Sequence, residues 1–366
     1  MAALGLDAPS QVKSGEDALP SDLCLKIYRL MVRVRALEER SIKMSKSGEG
    51  LFWVGGPGEE AFNVCLGLQL MKGRGPAYDF FHPHYRNAGV LIAMGMPMLD
   101  HVRQAAMTRT DPHSMGRNFV GHYSVPEWNV TPVTSAIEVQ YTMAPGTALM
   151  QKRHGGKGVS VVIGGDAGTA EGDFASCMIW STRPGHEAPV FMIVTNNGWG
   201  ISTPACSQHG EKQIVDRGKA FDIPGEVVDG NDPIAAWHAI ERGFAYCRAT
   251  RKPYLLEAMV SRLYGHSSSS GAQRVRDERD CVVDFERRLL REGVLTPEQA
   301  DKIRREAKNE ADEAVEIAMS EPQPKPDDVP VHTYARSPVD CIYPYDYTGL
   351  PGRRHDLGFE EIGERN

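Results

Sequence analysis

Two apolar runs, each followed by a loop that contains glycine, constrain the fold of this chain more than any other feature. The runs cover residues 158–164 and 189–195, and residues 172–182 between them have the composition of a helix. Buried apolar strands that alternate with helices are typical of a parallel sheet, with a right-handed crossover. A third run at 253–261 follows a helix predicted over 234–249. The sequence therefore predicts an α/β fold with a mostly parallel sheet flanked by helices.

The predicted sheet lies inside one domain that has a distinct segment at each end. Residues 1–20 are rich in small and polar types, which predicts a flexible leader. Ser21 and Asp22 are suited to cap an amphipathic N-terminal helix. This helix opens a domain predicted over 21–320, whose C-terminal part is helical. Residues 321–366 are rich in proline, so we expect an extended tail that contacts another subunit.

Composition excludes several classes of protein. The chain is 41% hydrophobic and 24% charged with a formal net charge of −7, as in ordinary soluble globular proteins. It has no cluster of lysine and arginine with interleaved aromatic residues, so nucleic acid is not an expected partner. The seven cysteines are scattered and never form CxxC, which argues against a zinc knuckle or a disulfide framework.

The sequence also bears on location. No apolar run reaches the roughly 18 residues that are needed to span a bilayer, so no membrane contact is expected. The N-terminal residues have neither a basic region before an apolar core nor the arginine-rich, acid-poor composition of a transit peptide. We therefore expect a cytoplasmic protein.

The loop after the first apolar run, residues 164–172, reads GGDAGTAEG. Glycines between the carboxyl end of a strand and a helix allow a ligand's phosphates to approach backbone N–H groups and the helix dipole. The loop matches neither the GxGxxG fingerprint nor a Walker loop, which needs Lys followed by Ser or Thr. A tight strand-to-helix turn without a ligand is the alternative, and the loop alone leaves it open.

Asp166 is the informative residue of this loop. A carboxylate that faces a diphosphate is repelled by it at low effective dielectric unless a cation lies between them. Magnesium fits, and it prefers several oxygen ligands in octahedral geometry. The next apolar run ends in Asn-Asn-Gly-Trp, where Asn197 can offer its amide oxygen and Trp199 its backbone carbonyl. Adjacent parallel strands would bring both loops to one edge of the sheet, which makes Asp166, Asn197 and Trp199 the expected metal ligands.

The strings AEGD, NNGWGISTP and VDGNDP make a family resemblance specific. An acidic residue in a glycine loop, about thirty residues before Asn-Asn, resembles the thiamine-diphosphate motif, usually written GDG and then NN. The fuller pattern, over roughly 23–270, is similar to the alpha subunits of branched-chain 2-oxo acid dehydrogenases. The resemblance implies a thiamine-diphosphate-binding fold. The chain departs from the family at Ala167, where glycine is common, and at Trp199, where tyrosine is usual; alanine is tolerated only if its φ is negative.

The resemblance implies a set of cofactor-binding residues. The two loops contribute Gly165, Asp166, Ala167, Gly168, Asn197 and Ile201. The stretch His84-Tyr85-Arg86 is similar to the family's Gln-Tyr-Arg, in which tyrosine contacts the cofactor and arginine meets its phosphates. Taken alone, Arg86 would be read as a surface ion-pair residue. His84 replaces the glutamine, which adds a titratable group and leaves its role open.

Further residues follow from the same resemblance. Ser135 corresponds to a serine near the diphosphate, and Ile137 to the aliphatic wedge that bends the cofactor. The alternative for Ile137 is a core residue in the first turn of a helix predicted over 135–154. Gln140 and the backbone around Thr134 correspond to a potassium site of some relatives.

Two histidines complete the implied site. His266 falls where the family keeps a histidine facing the reactive thiazolium, and an imidazole can move protons near neutral pH. His122 corresponds to a mobile active-site loop, so the implied catalytic residues are His266, Tyr85 and His122. The run 267–270 matches a loop that is regulated in animal relatives, but here a flexible Gly/Ser loop is the better interpretation.

The implied reaction is thiamine-diphosphate-dependent oxidative decarboxylation of a small 2-oxo acid, followed by reductive acylation of a lipoyl domain. In the family, a second type of domain supplies the buried glutamate that activates the cofactor. Once the helices and the tail of this chain are placed, such a domain is hard to fit into it. The implied partners are therefore a beta subunit, in an α2β2 heterotetramer, and a lipoyl-bearing acyltransferase. A pyruvate or acetoin dehydrogenase subunit and a non-catalytic homologue remain as alternatives. The aromatic residues Phe52, Trp53, Phe81 and Tyr85 indicate an apolar substrate pocket.

Overall fold

A five-stranded parallel sheet forms the centre of the computed structural model, which describes residues 18–275, 277–329 and 331. The order of the strands is β1-β2-β3-β7-β6, and β4 pairs with β5 in a separate antiparallel hairpin. The strands are β1 (Phe80–His82), β2 (Ser160–Gly165), β3 (Val190–Asn196), β4 (Trp199–Gly200), β5 (Thr203–Pro204), β6 (Gly225–Asp229) and β7 (Tyr254–Met259). The predicted α/β fold class with a mostly parallel sheet is confirmed.

Helices cover both faces of the sheet. They are α1 (Ser21–Ser47), α2 (Glu60–Gln69), α3 (Ala88–Met94), α4 (Met98–Ala105), α5 (Val139–Arg153), α6 (Gly172–Ser181), α7 (Pro233–Thr250), α8 (Cys281–Arg291) and α9 (Pro297–Ser320). Side chains alternate between the faces of a strand. In β3, Phe191 and Ile193 therefore join the core cluster that includes α1, α2 and α7, while Met192 and Val194 join the cluster of α5 and α6.

The three strands expected from apolar runs are all present, and two further strands of the parallel sheet, β1 and β6, were not foreseen. β1 has only three residues, and it pairs with β2 at the edge of the sheet. β6 pairs with β7 at the other edge, and most of its residues are only partly buried. Short or half-buried edge strands lack the continuous apolar run that marks a central strand, so the sequence pattern did not indicate them.

Two predicted helix starts were wrong. Helix α5 begins at Val139 and not near 135, because Glu138 takes a left-handed conformation with φ 66° that interrupts the helix. Helix α1 begins at Ser21, and its N-cap residue is Pro20, which makes no side-chain capping hydrogen bond. The predicted cap at Ser21 and Asp22 is therefore one residue too late.

The last long helix, α9, closes the fold against the first. Thr296 and Gln299 form a reciprocal capping box at its start. Its buried stripe consists mostly of alanines together with Ile303 and Val315, and it packs against α1 and α4. The ion pair from Arg33 to Glu310 flanks this contact. Alanines let the two helices approach closely.

The chain divides into two compact units, residues 1–323 and 324–366. The described part of the second unit contains one short 3-10 turn, Pro326–Asp328. The predicted leader 1–20 and the predicted extended tail 321–366 lie mainly outside the described residues. Within the described ranges, none of the helices combines the length and the apolar composition that crossing a bilayer requires.

Candidate active site

A cavity of about 560 Å³ opens at the carboxyl ends of β2 and β3. Parallel α/β sheets bind ligands at this edge. The residues predicted to act in catalysis or to bind thiamine diphosphate or magnesium all line it, and these are Tyr85, Arg86, His122, Ser135, Ile137, Gly165, Asp166, Ala167, Gly168, Asn197, Trp199, Ile201 and His266. Residues that are distant in the sequence therefore meet around one space, as Arg86 and His266 do across 180 positions.

The glycine loop forms the floor of the cavity's polar end. β2 ends at Gly165, a short 3-10 turn follows over Ala167–Ala170, and α6 begins at Gly172. Ala167 does not adopt a positive φ, so its departure from glycine causes no backbone strain.

Asp166 is 1% exposed, and its Oδ2 atom has no hydrogen-bond partner within the described residues. Burial raises the pKa of this carboxyl above its usual range. An ionised carboxylate that is buried without a partner is costly, and a cation at this position would remove that cost.

The second loop lies beside the first because Gly165 of β2 is in register with Thr195 of β3. The side chain of Asn196 already has hydrogen-bond partners within the protein. Its amide donates to Glu257 at 2.8 Å, and its oxygen accepts from the N–H of Gly198. Asn197, one residue further, lines the cavity. Its amide oxygen accepts the N–H of Trp199 at 3.1 Å and keeps a second lone pair for another partner.

Ile201 continues this loop into the rim of the cavity. It has a φ of 55° and is 56% exposed. A branched residue in this conformation is uncommon and costs energy, and such residues cluster at ligand sites.

Arg86 lies between the polar end and a second, histidine end that contains His266, because its charge acts both on the Asp166 carboxyl and on the His266 ring. The Arg86 guanidinium donates to the carbonyl oxygen of Gly55 and, at 2.9 Å, to Nδ1 of His266. Arginine can only donate, so Nδ1 accepts and the proton of the neutral ring lies on Nε2. Burial, together with the positive charges of Arg86 and Arg262, lowers the pKa of His266 to about 4. Arg86 is only 5% exposed, so its alternative reading as a surface ion-pair residue is wrong.

His84 and Tyr85 lie beside this pair. Their ring centroids are 3.7 Å apart, and the rings of Tyr85 and His266 meet edge to face at 6.2 Å. Burial, with the positive charge of Arg86, holds the pKa of His84 well below its ordinary value. Its Nδ1 atom has no partner among the described residues. A neutral imidazole with unused hydrogen-bonding capacity therefore stands where the family has glutamine.

His122 and Ser135 approach the cavity from another side. Nδ1 of His122 lies 3.2 Å from the carbonyl oxygen of Phe119, which can only accept, so Nε2 accepts the hydroxyl proton of Ser135 at 2.7 Å. The backbone of His122 is held at two points by Gln104, whose amide donates to the His122 carbonyl and accepts from its N–H. The loop that carries His122 is thus fixed to α4.

Ile137 lies in the turn before α5 and not in the helix. It is 44% exposed and lines the cavity, so its alternative interpretation as a core residue is wrong. Of the aromatic residues expected around the substrate, Phe52 and Tyr85 line the cavity. Trp53 and Phe81 are buried in the protein core instead, where Trp53 donates to Glu38.

Phe119 and Glu138 are among the lining residues that the sequence reasoning missed. Phe119 packs edge to face on Phe52, with ring centroids 5.4 Å apart. Glu138 is a buried carboxyl next to the glycine loop. The only signal in the sequence was a lone acid in the otherwise uncharged stretch that contains Ser135 and Ile137.

The metal ligands expected from the sequence are not a cluster of acids and histidines. The described residues contain no group of three or more His, Cys, Asp or Glu side chains that could hold a metal. Of the expected magnesium ligands, only Asp166 belongs to these types. Thr134 lines the cavity, whereas Gln140 is buried and donates to the carbonyl oxygen of Ile163 at 3.0 Å.

Comparison with known proteins gives a family and several relatives. Residues 28–327 match the family described as "Dehydrogenase E1 component". An Arabidopsis thaliana protein, "2-oxoisovalerate dehydrogenase subunit alpha 2, mitochondrial", is 28% identical over 312 residues, which is 83% of this chain. The match spans only 64% of the Arabidopsis protein, less than two thirds of its length.

Two Bacillus subtilis proteins match over more of their own length. The first, "2-oxoisovalerate dehydrogenase subunit alpha", is 27% identical over 85% of this chain and 94% of that protein. The second, "Pyruvate dehydrogenase E1 component subunit alpha", is 29% identical over 87% of this chain and 84% of that protein. Branched-chain and pyruvate types are thus similar to this chain to the same degree.

Proposed function

Because the chain belongs to the dehydrogenase E1 component family, we propose that it is the alpha subunit of a 2-oxo acid dehydrogenase of the branched-chain, 2-oxoisovalerate type. The observation that carries this proposal is the convergence of the residues expected to bind thiamine diphosphate and magnesium on one cavity at the carboxyl edge of the sheet. The reaction would be oxidative decarboxylation followed by transfer of the acyl group to a lipoyl domain.

The residues of the cavity fit thiamine diphosphate and magnesium. Asp166 has a buried oxygen without a partner, which a cation would satisfy. Asn197 and the carbonyl of Trp199 would supply further oxygen ligands, the kind that magnesium prefers. The N–H groups of the loop and the start of α6 suit the diphosphate. Thr134 and Gln140 would be the residues nearest a potassium ion, if this chain shares that site with some relatives.

When bound, thiamine diphosphate supplies a nucleophilic carbon and an electron sink for the decarboxylation. The chain's own residues would position the ligand and donate a proton to the substrate. Arg86 would hold the diphosphate end of the ligand through its fork of donors. Ile137 would support a bent conformation by apolar contact. His266 would donate from Nε2 to the oxygen of the substrate on which negative charge develops, because Arg86 fixes the tautomer.

The other two catalytic candidates shape the substrate end. Tyr85 packs on both His84 and His266 and so orients them. The Nε2 atom of His122 is an acceptor that holds the hydroxyl of Ser135 at the cavity wall. Phe52 and Phe119 give this end an apolar lining that supports a branched aliphatic substrate.

We propose that a separate beta subunit completes the site in an α2β2 heterotetramer. The rim of the cavity supports this, because Phe119, Ile137, Trp199 and Ile201 all line the cavity and are exposed apolar side chains. Large exposed apolar groups around a cleft are typical of protein interfaces. A lipoyl-bearing acyltransferase would receive the acyl group. A cytoplasmic location is part of the proposal, and fractionation of cells that express the chain would test it.

A pyruvate-specific subunit is the second candidate, and the 29% identity to the Bacillus subtilis pyruvate dehydrogenase subunit favours it. A non-catalytic homologue would fit the departures at His84 and Ala167. The retained Asp166, Asn197, Arg86 and His266 argue against a loss of activity.

The deciding experiment is reconstitution of the chain with its co-purifying beta partner. Reduction of an electron acceptor would be measured with 2-oxoisovalerate and with pyruvate, in the presence and absence of thiamine diphosphate and magnesium. We expect higher kcat/KM for 2-oxoisovalerate and no turnover without the cofactor. Higher kcat/KM for pyruvate would replace the branched-chain assignment, and turnover of neither acid would contradict the enzymatic proposal.

A further inference from the structure

Glu138 lies directly under the glycine loop, and neither the family resemblance nor the proposed reaction gives it a role. It is 1% exposed, lines the cavity and precedes the first residue of α5. Its φ of 66° is left-handed, a conformation that glycine and asparagine adopt more easily than glutamate. A strained residue that is buried at a ligand site is held there by the contacts of its side chain.

Those contacts are made to the loop itself. Oε1 of Glu138 accepts the N–H of Gly165 at 3.3 Å, and Oε2 accepts the side-chain amide of Gln140 at 3.3 Å. A Cβ atom at Gly164 or at Gly168 would overlap the carboxyl group of Glu138. The side chain therefore fills the space inside the loop, and these two glycines are required because the carboxyl is there.

The electrostatic state of Glu138 fits a group that supports a site for anions. Burial, together with the nearby acids Asp173, Glu171 and Asp166, raises its pKa to about 8. At neutral pH the group is an uncharged carboxylic acid. It supports the loop without adding a fourth negative charge beneath the N–H groups that would receive a diphosphate.

We propose that Glu138 is a positioning residue that holds residues 164–168 in the conformation that presents their backbone N–H groups to the diphosphate of the cofactor. The inference rests on the proposed function for the identity of the ligand. The support that Glu138 gives to the loop is independent of any ligand. Without it, the N–H of Gly165 loses its acceptor and the loop encloses a void.

The test uses the full-length chain with its co-purifying partner and the variants Glu138→Gly, Glu138→Gln and, as a control at an exposed glutamate, Glu127→Gln. Glycine relieves the backbone strain and removes only the side-chain contacts. Glutamine keeps the acceptor for Gly165. Titration calorimetry with thiamine diphosphate and magnesium gives the cofactor Kd, and kcat is measured at saturating cofactor.

We expect Glu138→Gly to raise the cofactor Kd at least tenfold while kcat at saturation stays within about threefold of the parent. Glu138→Gln should stay within about threefold of the parent in both quantities, and Glu127→Gln should match the parent. An unchanged Kd in Glu138→Gly would overturn the proposal. A Kd as high in Glu138→Gln as in Glu138→Gly would also overturn it, because the acceptor geometry would then be irrelevant.

Hydrogen exchange of residues 164–168 in the cofactor-free chain separates this inference from the proposed function. The amides should exchange at least tenfold faster in Glu138→Gly than in the parent, whatever the ligand of the cavity is. Equal exchange rates refute the support role even if the cofactor binds. If the parent binds no thiamine diphosphate and the exchange difference is present, the proposed function fails and the support of the loop by Glu138 stands.

A double variant distinguishes loss of the contact between Glu138 and Gly168 from a general loss of folding. Gly168→Ala alone should raise the cofactor Kd, because its Cβ collides with the Glu138 carboxyl. In the Glu138→Gly background the same substitution should have at least fivefold less effect. Equal effects in both backgrounds would contradict the contact between these two residues.

Discussion

Burial shifts the pKa values of the titratable groups at the two ends of the cavity in opposite directions. At the polar end, burial raises the pKa of Asp166 and of Glu138, so the acids tend to keep a proton or bind a cation. At the histidine end, burial and Arg86 lower the pKa of His84 and of His266, so the imidazoles lose theirs. The polar end is suited to bind a cation together with an anionic ligand. The histidine end is suited to hydrogen bonds from neutral imidazole rings.

The largest effect should follow a change at the polar end. Asp166→Ala should raise the Kd for thiamine diphosphate with magnesium more than 100-fold, because the buried oxygen that would face the metal is lost. Titration calorimetry of the reconstituted complex measures this. Asp222→Asn is a suitable control, since Asp222 is an exposed left-handed residue that asparagine can replace. Unchanged affinity in Asp166→Ala would refute the metal assignment.

A change at the histidine end should affect turnover more than binding. His266→Asn should lower kcat roughly 100-fold, the usual range for loss of a proton donor, while the cofactor Kd stays within about threefold. Steady-state kinetics at saturating cofactor gives both numbers, with the exposed His154→Gln as the control. If the Kd rose and kcat did not fall, the assignment of cofactor binding to the polar end and of turnover to the histidine end would be wrong.

The opposite pKa shifts also predict opposite effects of pH on the stability of the cofactor-free chain. The pKa of Glu138 is raised to about 8, so the folded state binds its proton more tightly than the unfolded state, and stability is lost as the pH rises toward 8. From pH 6 to pH 8 the loss is roughly 2 to 3 kcal/mol at 1.36 kcal/mol per unit. Urea denaturation should show a smaller loss in Glu138→Gln.

His84 gives the reverse effect. Its pKa in the folded state lies below the ordinary value, so the unfolded state is protonated first, and stability is lost as the pH falls below about 6.5. His84→Gln, which restores the residue typical of the family, should lose less stability between pH 7 and pH 5 than the parent. An identical decline in urea denaturation would show that His84 is not the titrating group.

The smallest effect concerns substrate choice. Phe119→Ala should lower the preference for 2-oxoisovalerate over pyruvate about fivefold in kcat/KM, because one side of the aromatic pair with Phe52 is removed. Val275→Ala, at an exposed position that does not line the cavity, is the control. No change in the ratio would assign substrate choice to other residues.

The two ends of the cavity also differ in how much of their structure could be predicted from the sequence. Asp166, Asn197 and Trp199 lie on loops that directly follow two central strands, so strand order and elementary electrostatics were enough to bring them together. Arg86 and His266 lie 180 residues apart in the sequence; only the family resemblance placed each of them in the site, and their contact was not predicted. The resulting tautomer and the lowered pKa of His266 follow from burial, which no local pattern encodes.

Glu138 could not have been predicted for a related reason. The sequence around it is compatible with a helix, and the predicted helix over 135–154 ran through it. Its left-handed backbone is a consequence of tertiary contacts with Gly164 and Gly168, which override local preference. The edge strand β1 was missed for a simpler reason, because three residues carry too little periodicity to mark a strand.

The packing of α9 against α1 can form only late in the synthesis of the chain. The apolar face of α1 is made within the first fifty residues, but its partner on α9 ends only at Ser320. At about 5 to 20 residues per second, a ribosome needs roughly 15 to 60 seconds to make the intervening chain. During that interval α1 remains without its final partner, so the nascent chain would present an apolar surface to chaperones.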